Sequence, residues 1–147
     1  MLSVWITGAS SGIGEACAYR YAEEGARLVL TSSSVNRLEP VAARCRELGA
    51  AEVNILPFDL TCLDGIDTLT DKAWDAMKGI DIVMLNAGIS QRTNVEDTSM
   101  EMVRKIMEIN YFAPVAIAKR LLPKMVGRGY GKIAVTTSIA GRFGFPL

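Results

Sequence analysis

Short apolar runs alternate along this chain with longer stretches whose apolar residues recur every three or four positions. The apolar runs predict five strands, in LSVWI, RLVLTS, AEVNILPFDL, IDIVMLNAG and GKIAVTTS, and the third of these segments also contains the exit from its strand. The longer stretches predict four helices, in IGEACAYRYAEEG, VNRLEPVAARCRELG, DGIDTLTDKAWDAMKG and from about Ser99 to Met125. Strands and helices therefore alternate along the whole sequence.

Residues at the predicted helix ends support these boundaries. Gly25 and Gly49 stand where a helix-terminating glycine is expected. Thr98 and Glu101 fit a capping box at the start of the fourth helix. Pro40 is expected in the first turn of the second helix, where proline is tolerated.

This alternation also predicts the topology. Strands joined by helical crossovers run parallel, and the crossovers are right-handed. The pattern therefore predicts an α/β fold with a doubly wound, open parallel sheet. Since no repeat, low-complexity segment or linker divides the sequence, we predict a single domain over residues 1–147.

Composition and charge exclude several kinds of partner. The 147 residues are 50% hydrophobic and carry a formal net charge of zero, so no broad attraction to nucleic acid or to an anionic membrane is expected. No apolar run approaches the roughly 20 residues that span a bilayer. Because no basic and apolar leader precedes LSVWITGASSGIG, we expect a cytoplasmic protein.

The cysteines and the lack of histidine bear on metal and nucleophile chemistry. The three cysteines, Cys17, Cys45 and Cys62, are widely spaced without a CxxC motif, and no histidine occurs. We therefore expect no metal site, no Ser-His-Asp triad and no Cys-His pair. The cysteines are expected to be reduced and mostly packed.

The segment TGASSGIG lies between the first strand and the first helix. Gly8 would allow a sharp turn, Gly12 a close approach of a diphosphate to the backbone, and Gly14 tight packing of the helix on the sheet. Backbone N–H groups at the start of the helix, near Ile13, would face the anion. A plain glycine-rich turn remains the alternative. The candidate diphosphate-binding residues are Gly8, Ser10, Ser11, Gly12, Ile13 and Gly14.

At this point the sequence resembles the short-chain dehydrogenase/reductase family, whose fold is the Rossmann fold, and the resemblance implies the strand order 3-2-1-4-5. TGASSGIG resembles that family's cofactor loop, FDLT its adenine-contacting segment, and LNAG the motif that ends its fourth strand. The segment GISQR is similar to the member 7-like branch of the family. The resemblance implies a hydride transfer between a nicotinamide dinucleotide and a small carbonyl or alcohol substrate.

The resemblance also implies roles for individual residues. It assigns adenine contacts to Asp59 and Leu60, a catalytic asparagine to Asn110 and a catalytic serine to Ser138, which would orient the substrate. A strand-ending turn at LNAG, an Asn110 without a catalytic role and a Ser138 that only caps the strand end remain open. The further residues that the resemblance places at the adenosine are Asn86, Ala87 and Gly88.

The main-chain carbonyl of Asn110 is expected to lack its usual helical hydrogen bond. Pro114 follows four residues later and has no N–H, so the Asn110 carbonyl loses its helical partner. That carbonyl must find another donor, most simply water. In the family the main-chain carbonyl of this asparagine holds a water of the proton relay.

The choice of cofactor is expected just after the second strand, in LTSSSVNR. The hydroxyls of Ser32, Ser33 and Ser34 can donate to a 2′-phosphate, Arg37 lies one turn further on, and no carboxylate is present to repel it. We therefore expect NADP, with NAD possible. The alternative is that Ser32 to Ser34 cap the second helix.

The family's catalytic Tyr-x-x-x-Lys would begin about thirteen positions beyond Ser138, and the sequence given ends at Leu147. We therefore expect an incomplete domain that lacks the family's carboxyl-terminal strands and helices, holds the cofactor-binding portion and is inactive alone. A non-catalytic dinucleotide-binding module or a remnant is the alternative. A homo-oligomer that pairs through the long helix is possible, and the substrate is not identified.

Overall fold

The computed structural model describes residues 1–144 and contains a five-stranded parallel sheet. The strands are β1 (Ser3–Thr7), β2 (Arg27–Thr31), β3 (Glu52–Ile55), β4 (Ile82–Leu85) and β5 (Lys132–Val135). Their order across the sheet is β3-β2-β1-β4-β5, and every neighbouring pair is parallel. The predicted doubly wound sheet and its strand order are therefore confirmed.

Five α-helices connect the strands in the described residues. They are α1 (Gly12–Glu23), α2 (Val35–Glu47), α3 (Ile66–Met77), α4 (Met100–Met107) and α5 (Ala113–Arg128). A π-helical segment, Glu108–Phe112, joins α4 to α5, and short 3-10 turns occupy Leu63–Gly65 and Ile139–Gly141. None of the helices within residues 1–144 is both long enough and apolar enough to cross a lipid bilayer.

The sheet separates two apolar clusters because successive side chains of a strand point to opposite faces. Val4 and Ile6 of β1 pack on one face together with α1 and α2. Trp5 of β1 packs on the other face together with α3 and α5. All five residues of β1 are buried, as expected for the central strand of a doubly covered parallel sheet. At the sheet edge, all four residues of β5 are exposed.

The third strand covers Glu52–Ile55, and the residues after it form the exit that was predicted in the same segment. Two other predicted boundaries were wrong. The first helix begins at Gly12 rather than at Ile13. Pro40 is the sixth residue of α2 and therefore lies beyond its first turn.

The fourth predicted helix also differs from the expectation. It is interrupted by the π-helical segment and extends to Arg128. Its cap is Ser99, whose hydroxyl accepts the Met102 N–H at 3.2 Å, and not Thr98. The Thr98 hydroxyl donates instead to the Asn94 carbonyl at 2.8 Å, so it belongs to the preceding loop.

The cysteines occupy three different environments. Cys45 is buried, Cys17 is half-buried and Cys62 is exposed, which agrees with the expectation that the cysteines are mostly packed. All three thiols are free. Burial raises the pKa of the Cys45 thiol to about 11, which keeps it neutral at physiological pH.

Candidate functional site

A cavity of about 420 Å³ opens at the carboxyl ends of the parallel strands. In doubly wound sheets this edge is where ligands bind, because the connections diverge there to opposite faces. Most residues predicted to bind a cofactor line the cavity: Gly8, Ser10, Ser11, Ile13, Ser33, Asp59, Leu60, Asn86, Ala87 and Gly88. The structure therefore brings together four segments that lie far apart in the sequence.

The cavity lining does not include every predicted residue, and it includes others. Gly12, Gly14, Ser34, Asn110 and Ser138 are not part of it. Ser32 and Arg37, both considered for a 2′-phosphate, also line the cavity. No site role was predicted for four further lining residues, Phe58, Ile89, Ile109 and Thr136, whose side chains gave no signal that distinguishes them from ordinary packing or turn residues.

The glycine turn between β1 and α1 requires glycine for two reasons. Gly8 and Gly12 have φ values of 67° and 57°, in the left-handed region that disfavours other residues. A Cβ on Gly8 would also lie 2.7 Å from the Ala87 Cα, so the turn packs directly on the segment that follows β4.

The amino terminus of α1 is open toward the cavity. Its N-cap, Ser11, makes no side-chain capping hydrogen bond. The first N–H groups of a helix have no intrahelical partners, and the helix dipole adds partial positive charge there. With Ser10, Ser11 and Ile13 lining the cavity, this turn is suited to an anion.

The Thr7 hydroxyl connects the ends of β1 and β4. It accepts the N–H groups of Asn86 at 3.1 Å and Ala87 at 3.2 Å, and it lies 3.3 Å from the Met84 carbonyl as a donor. Thr7 is buried, so these bonds are shielded from water. They fix the path of the chain from Asn86 to Gly88 beside the glycine turn.

Asp59 contributes a negative charge to the cavity wall. Its carboxylate accepts the Thr61 N–H at 3.0 Å and the Thr61 hydroxyl at 2.9 Å. The backbone hydrogen bond from Thr61, followed by that from its hydroxyl, lowers the pKa of Asp59. Asp59 is therefore a charged acceptor at neutral pH, able to receive an amino-group hydrogen bond.

The serines after β2 do not cap α2 through their side chains. Ser34 is the N-cap of α2 but makes no side-chain capping bond. The Ser32 hydroxyl instead contacts the Ser34 backbone, at 3.3 Å from both its N–H and its carbonyl oxygen. Ser33 and Arg37 line the cavity and make no hydrogen bond with their side chains in the described part of the chain.

Asn110 lies in the π-helical segment, and its side chain is committed to the loop after β4. Its Nδ2 donates to the Ile89 carbonyl at 2.8 Å, and its Oδ1 accepts the Ile89 N–H at 2.9 Å. This two-bond clamp was not predicted, because it joins residues 21 positions apart. The expected role of the Asn110 main-chain carbonyl stays a prediction.

Ser138 lies beyond the end of β5, outside the cavity lining. Its hydroxyl accepts the Ala140 N–H at 3.1 Å and caps the 3-10 turn Ile139–Gly141. The alternative to a catalytic Ser138 was a cap of the strand end, but the observed cap is on the 3-10 turn, and Ser138 lies three residues beyond Val135. Its catalytic role also stays a prediction.

The chain matches a known protein family and curated proteins of that family. The family model described as short chain dehydrogenase matches residues 3–147. Dehydrogenase/reductase SDR family member 7 of Homo sapiens is 42% identical over 147 residues, which cover 98% of this chain and 43% of that protein. Member 7B of Mus musculus is 38% identical over 150 residues, which cover 98% and 46%. The chain thus spans less than half the length of these curated relatives.

Solved structures agree with the fold. An alcohol dehydrogenase from the archaeon Thermococcus sibiricus, complexed with 5-hydroxy-NADP, is 32% identical with a TM-score of 0.91; the match covers 99% of this chain and 62% of that one. A short-chain type dehydrogenase/reductase from Mycobacterium marinum is 30% identical with a TM-score of 0.90, over 98% and 58%. With the family model matching nearly its whole length, the chain belongs to the short-chain dehydrogenase/reductase family.

Proposed function

We propose that this chain binds a nicotinamide dinucleotide in the cavity at the carboxyl edge of its sheet. The observation that carries the proposal is the open amino terminus of α1, which faces the cavity beside two glycines with positive φ. A diphosphate fits this arrangement because it needs close backbone approach and N–H donors. Membership of the family and the solved relative with a bound NADP derivative support it.

The remaining walls suit the adenosine half of such a cofactor. Asp59 and Leu60 would contact the adenine, the first through its charged carboxylate and the second through apolar surface. Asn86, Ala87 and Gly88 would lie beside the adenosine, at the end of β4. Gly12, Gly14 and Ser34 support the turn or the start of α2 from outside the cavity.

We propose NADP as the preferred cofactor, with NAD as the weaker ligand. Ser33 and Arg37 line the cavity after β2, and neither side chain is engaged within residues 1–144. A hydroxyl donor beside a guanidinium suits a 2′-phosphate, since charge-assisted hydrogen bonds to phosphate are the strong ones. No carboxylate stands between Thr31 and Leu38 to favour a free 2′-hydroxyl.

The reaction we propose is the family's hydride transfer between the nicotinamide and a small carbonyl or alcohol substrate. Asn110 and Ser138 would serve it, the first by holding a water on its main-chain carbonyl and the second by orienting the substrate oxygen. The sequence given contains no Tyr-x-x-x-Lys, so we propose that these 147 residues alone show little or no turnover. A positioned general acid contributes about two to four powers of ten in rate.

A second candidate is a dinucleotide-binding module without turnover, which the absence of Tyr-x-x-x-Lys from these residues favours. Assays of the 147-residue chain with NADPH and a panel of carbonyl compounds measure whether it reduces any of them. Binding without reduction of any compound agrees with both candidates, whereas turnover at rates typical of the family excludes the module.

The binding proposal is tested by titrating the chain with NADPH and comparing Gly12→Ala with Gly129→Ala. Both glycines have positive φ, 57° and 71°, and a Cβ at either would meet no atom within 4 Å. Each alanine therefore costs about 1–2 kcal/mol of backbone strain, so the two variants should lose similar stability.

Only Gly12 adjoins the proposed diphosphate site, because Gly129 ends α5. We expect the unmodified chain and Gly129→Ala to bind NADPH alike, and Gly12→Ala to bind at least about tenfold more weakly, a difference of about 1.4 kcal/mol. No binding by the unmodified chain, or equal affinity of the two variants, would contradict the proposal.

A further inference from the structure

The side chain of Asn86 joins the ends of three strands. Its Oδ1 accepts the Thr136 hydroxyl at 2.8 Å, and its Nδ2 lies 3.4 Å from the Gly8 carbonyl as a donor. Thr136 follows β5, and its own N–H donates to the Leu85 carbonyl of β4 at 3.1 Å. The chain of contacts therefore runs from β5 through Asn86 to the glycine turn.

The orientation of the Asn86 amide depends on both partners. The Gly8 carbonyl can only accept a hydrogen bond, so the amide must present its NH₂ group to the turn. Its oxygen then faces Thr136, whose hydroxyl is free to donate. Removal of that hydroxyl leaves the amide with one specific partner instead of two.

Nδ2 of Asn86 is also enclosed by the glycine turn and the start of α1. A Cβ on Gly14 would lie 2.6 Å from this nitrogen, and a Cβ on Gly8 would lie 3.2 Å from it. Because the nitrogen fills the space that the two glycines leave, a rotated amide would press on the turn. The position of this amide and the shape of the turn are therefore coupled.

We propose that Thr136 is a positioning residue for cofactor binding, which acts through Asn86 on the Gly8 turn and so on the diphosphate site. This inference rests on the proposed function and adds to it a residue from β5, the strand furthest from β3. Thr136 also lines the cavity, so the test must separate action through Asn86 from a direct contact with the ligand.

The experiment measures the NADPH dissociation constant of the 147-residue chain, of four single variants and of one double variant, with melting temperatures as a check of folding. Thr136→Val removes the hydroxyl but keeps the shape, and we expect about fivefold weaker binding, the effect of one hydrogen bond. Thr136→Ser restores the hydroxyl and should restore the affinity to within about twofold. Thr137→Val is the matched control, because the described part of the chain offers its hydroxyl no hydrogen bond, and it should bind normally.

The fourth variant, Asn86→Ala, provides the background for a double-mutant cycle, and Asn86→Ser replaces it if the alanine variant does not fold. If Thr136 acts through Asn86, adding Thr136→Val to this background should change the affinity by less than about twofold. An undiminished fivefold loss would assign Thr136 a direct contact and overturn the inference. If Thr136→Val binds NADPH as tightly as the unmodified chain, the inference about Thr136 is overturned and the proposed function still stands. If the unmodified chain binds neither NADPH nor NADH, both the proposed function and this inference are overturned.

Discussion

Two charged side chains, Arg37 and Asp59, face the candidate cofactor cavity within residues 1–144. They follow different strands, β2 and β3, and they carry opposite signs. A cofactor that spans both can therefore be recognised by a phosphate at one side and by a hydrogen-bond donor at the other. This separation makes the contribution of Arg37 measurable by itself.

Replacement of Arg37 by alanine should change the choice between NADPH and NADH. We expect NADPH to bind about tenfold more weakly and NADH to be unaffected, because only NADPH carries the 2′-phosphate and hydrogen bonds to charged groups contribute about 1.5–3 kcal/mol. Arg44→Ala is the matched control, since Arg44 lies on the same helix and pairs with Glu47 at the surface at 2.9 Å. Calorimetric titrations measure the affinities for NADPH and NADH. An equal loss of affinity for both cofactors would contradict a role of Arg37 in selecting the 2′-phosphate.

At the residue level, the sequence predicted side chains whose role depends on local backbone geometry. Gly8 and Gly12 could be named because a positive φ is a property of the turn itself. The hydroxyls of Thr7 and Thr136 could not, because their partners lie 79 and 50 residues away. The sequence alone does not distinguish a threonine that hydrogen-bonds a distant segment from one without such a partner.

Among the secondary-structure elements, the helical stretch from α4 to α5 differs most from expectation. The π-helical segment Glu108–Phe112 carries Asn110, whose side chain holds Ile89 by two hydrogen bonds. π-helical turns often occur at functional sites, because they re-aim one residue without ending the helix. Here Asn110 lies in the π-helical turn, and its side chain hydrogen-bonds the loop that follows β4.

Removal of this clamp should loosen that loop. We expect Asn110→Ala to lower the free energy of unfolding by about 1–2 kcal/mol, the net effect of two hydrogen bonds. Asn36→Ala on the exposed surface of α2 is the control and should change it by less than about 0.5 kcal/mol. Denaturant unfolding measures both, and hydrogen exchange should show faster exchange of the Ile89 N–H. Unchanged exchange at Ile89 would mean that the clamp contributes nothing in solution.

The periodicity of apolar residues was sufficient to predict that the elements exist and in what order, but not where they end. Pro114 indicated an irregular helix, yet a free carbonyl at Asn110 does not by itself predict a π-helical turn. The third strand could be placed only together with its exit, in AEVNILPFDL, because LPFDL continues the apolar pattern after Ile55. Hydrogen bonding sets such boundaries, and hydrogen bonding is not visible in hydrophobicity.

In the whole molecule, the two apolar clusters share the same sheet. Leu38 of α2 belongs to one cluster and Leu121 of α5 to the other, and both side chains are fully buried. The strand order was predicted through the resemblance to the family, since right-handed crossovers reduce the number of possible strand orders but do not select one. We propose that residues 1–147 unfold as one domain, since β1 contributes to both clusters.

Matched substitutions in the two clusters test this proposal. Leu38→Ala and Leu121→Ala should each lower the free energy of unfolding by about 2–5 kcal/mol, because each leaves a cavity in a packed core. If the clusters form one cooperative unit, both variants shift the same single transition in calorimetry. Two transitions, of which each variant shifts only one, would contradict a single domain.

The central claim is that the amino terminus of α1 receives the diphosphate of a nicotinamide dinucleotide. The most direct measurement is a backbone N–H spectrum of the 147-residue chain by nuclear magnetic resonance during titration with NADPH. We predict that the largest shifts at saturation fall on the N–H groups of Gly12, Ile13 and Gly14. Saturation with the largest shifts elsewhere, for example between α3 and α5, or no shifts at all, would contradict the account.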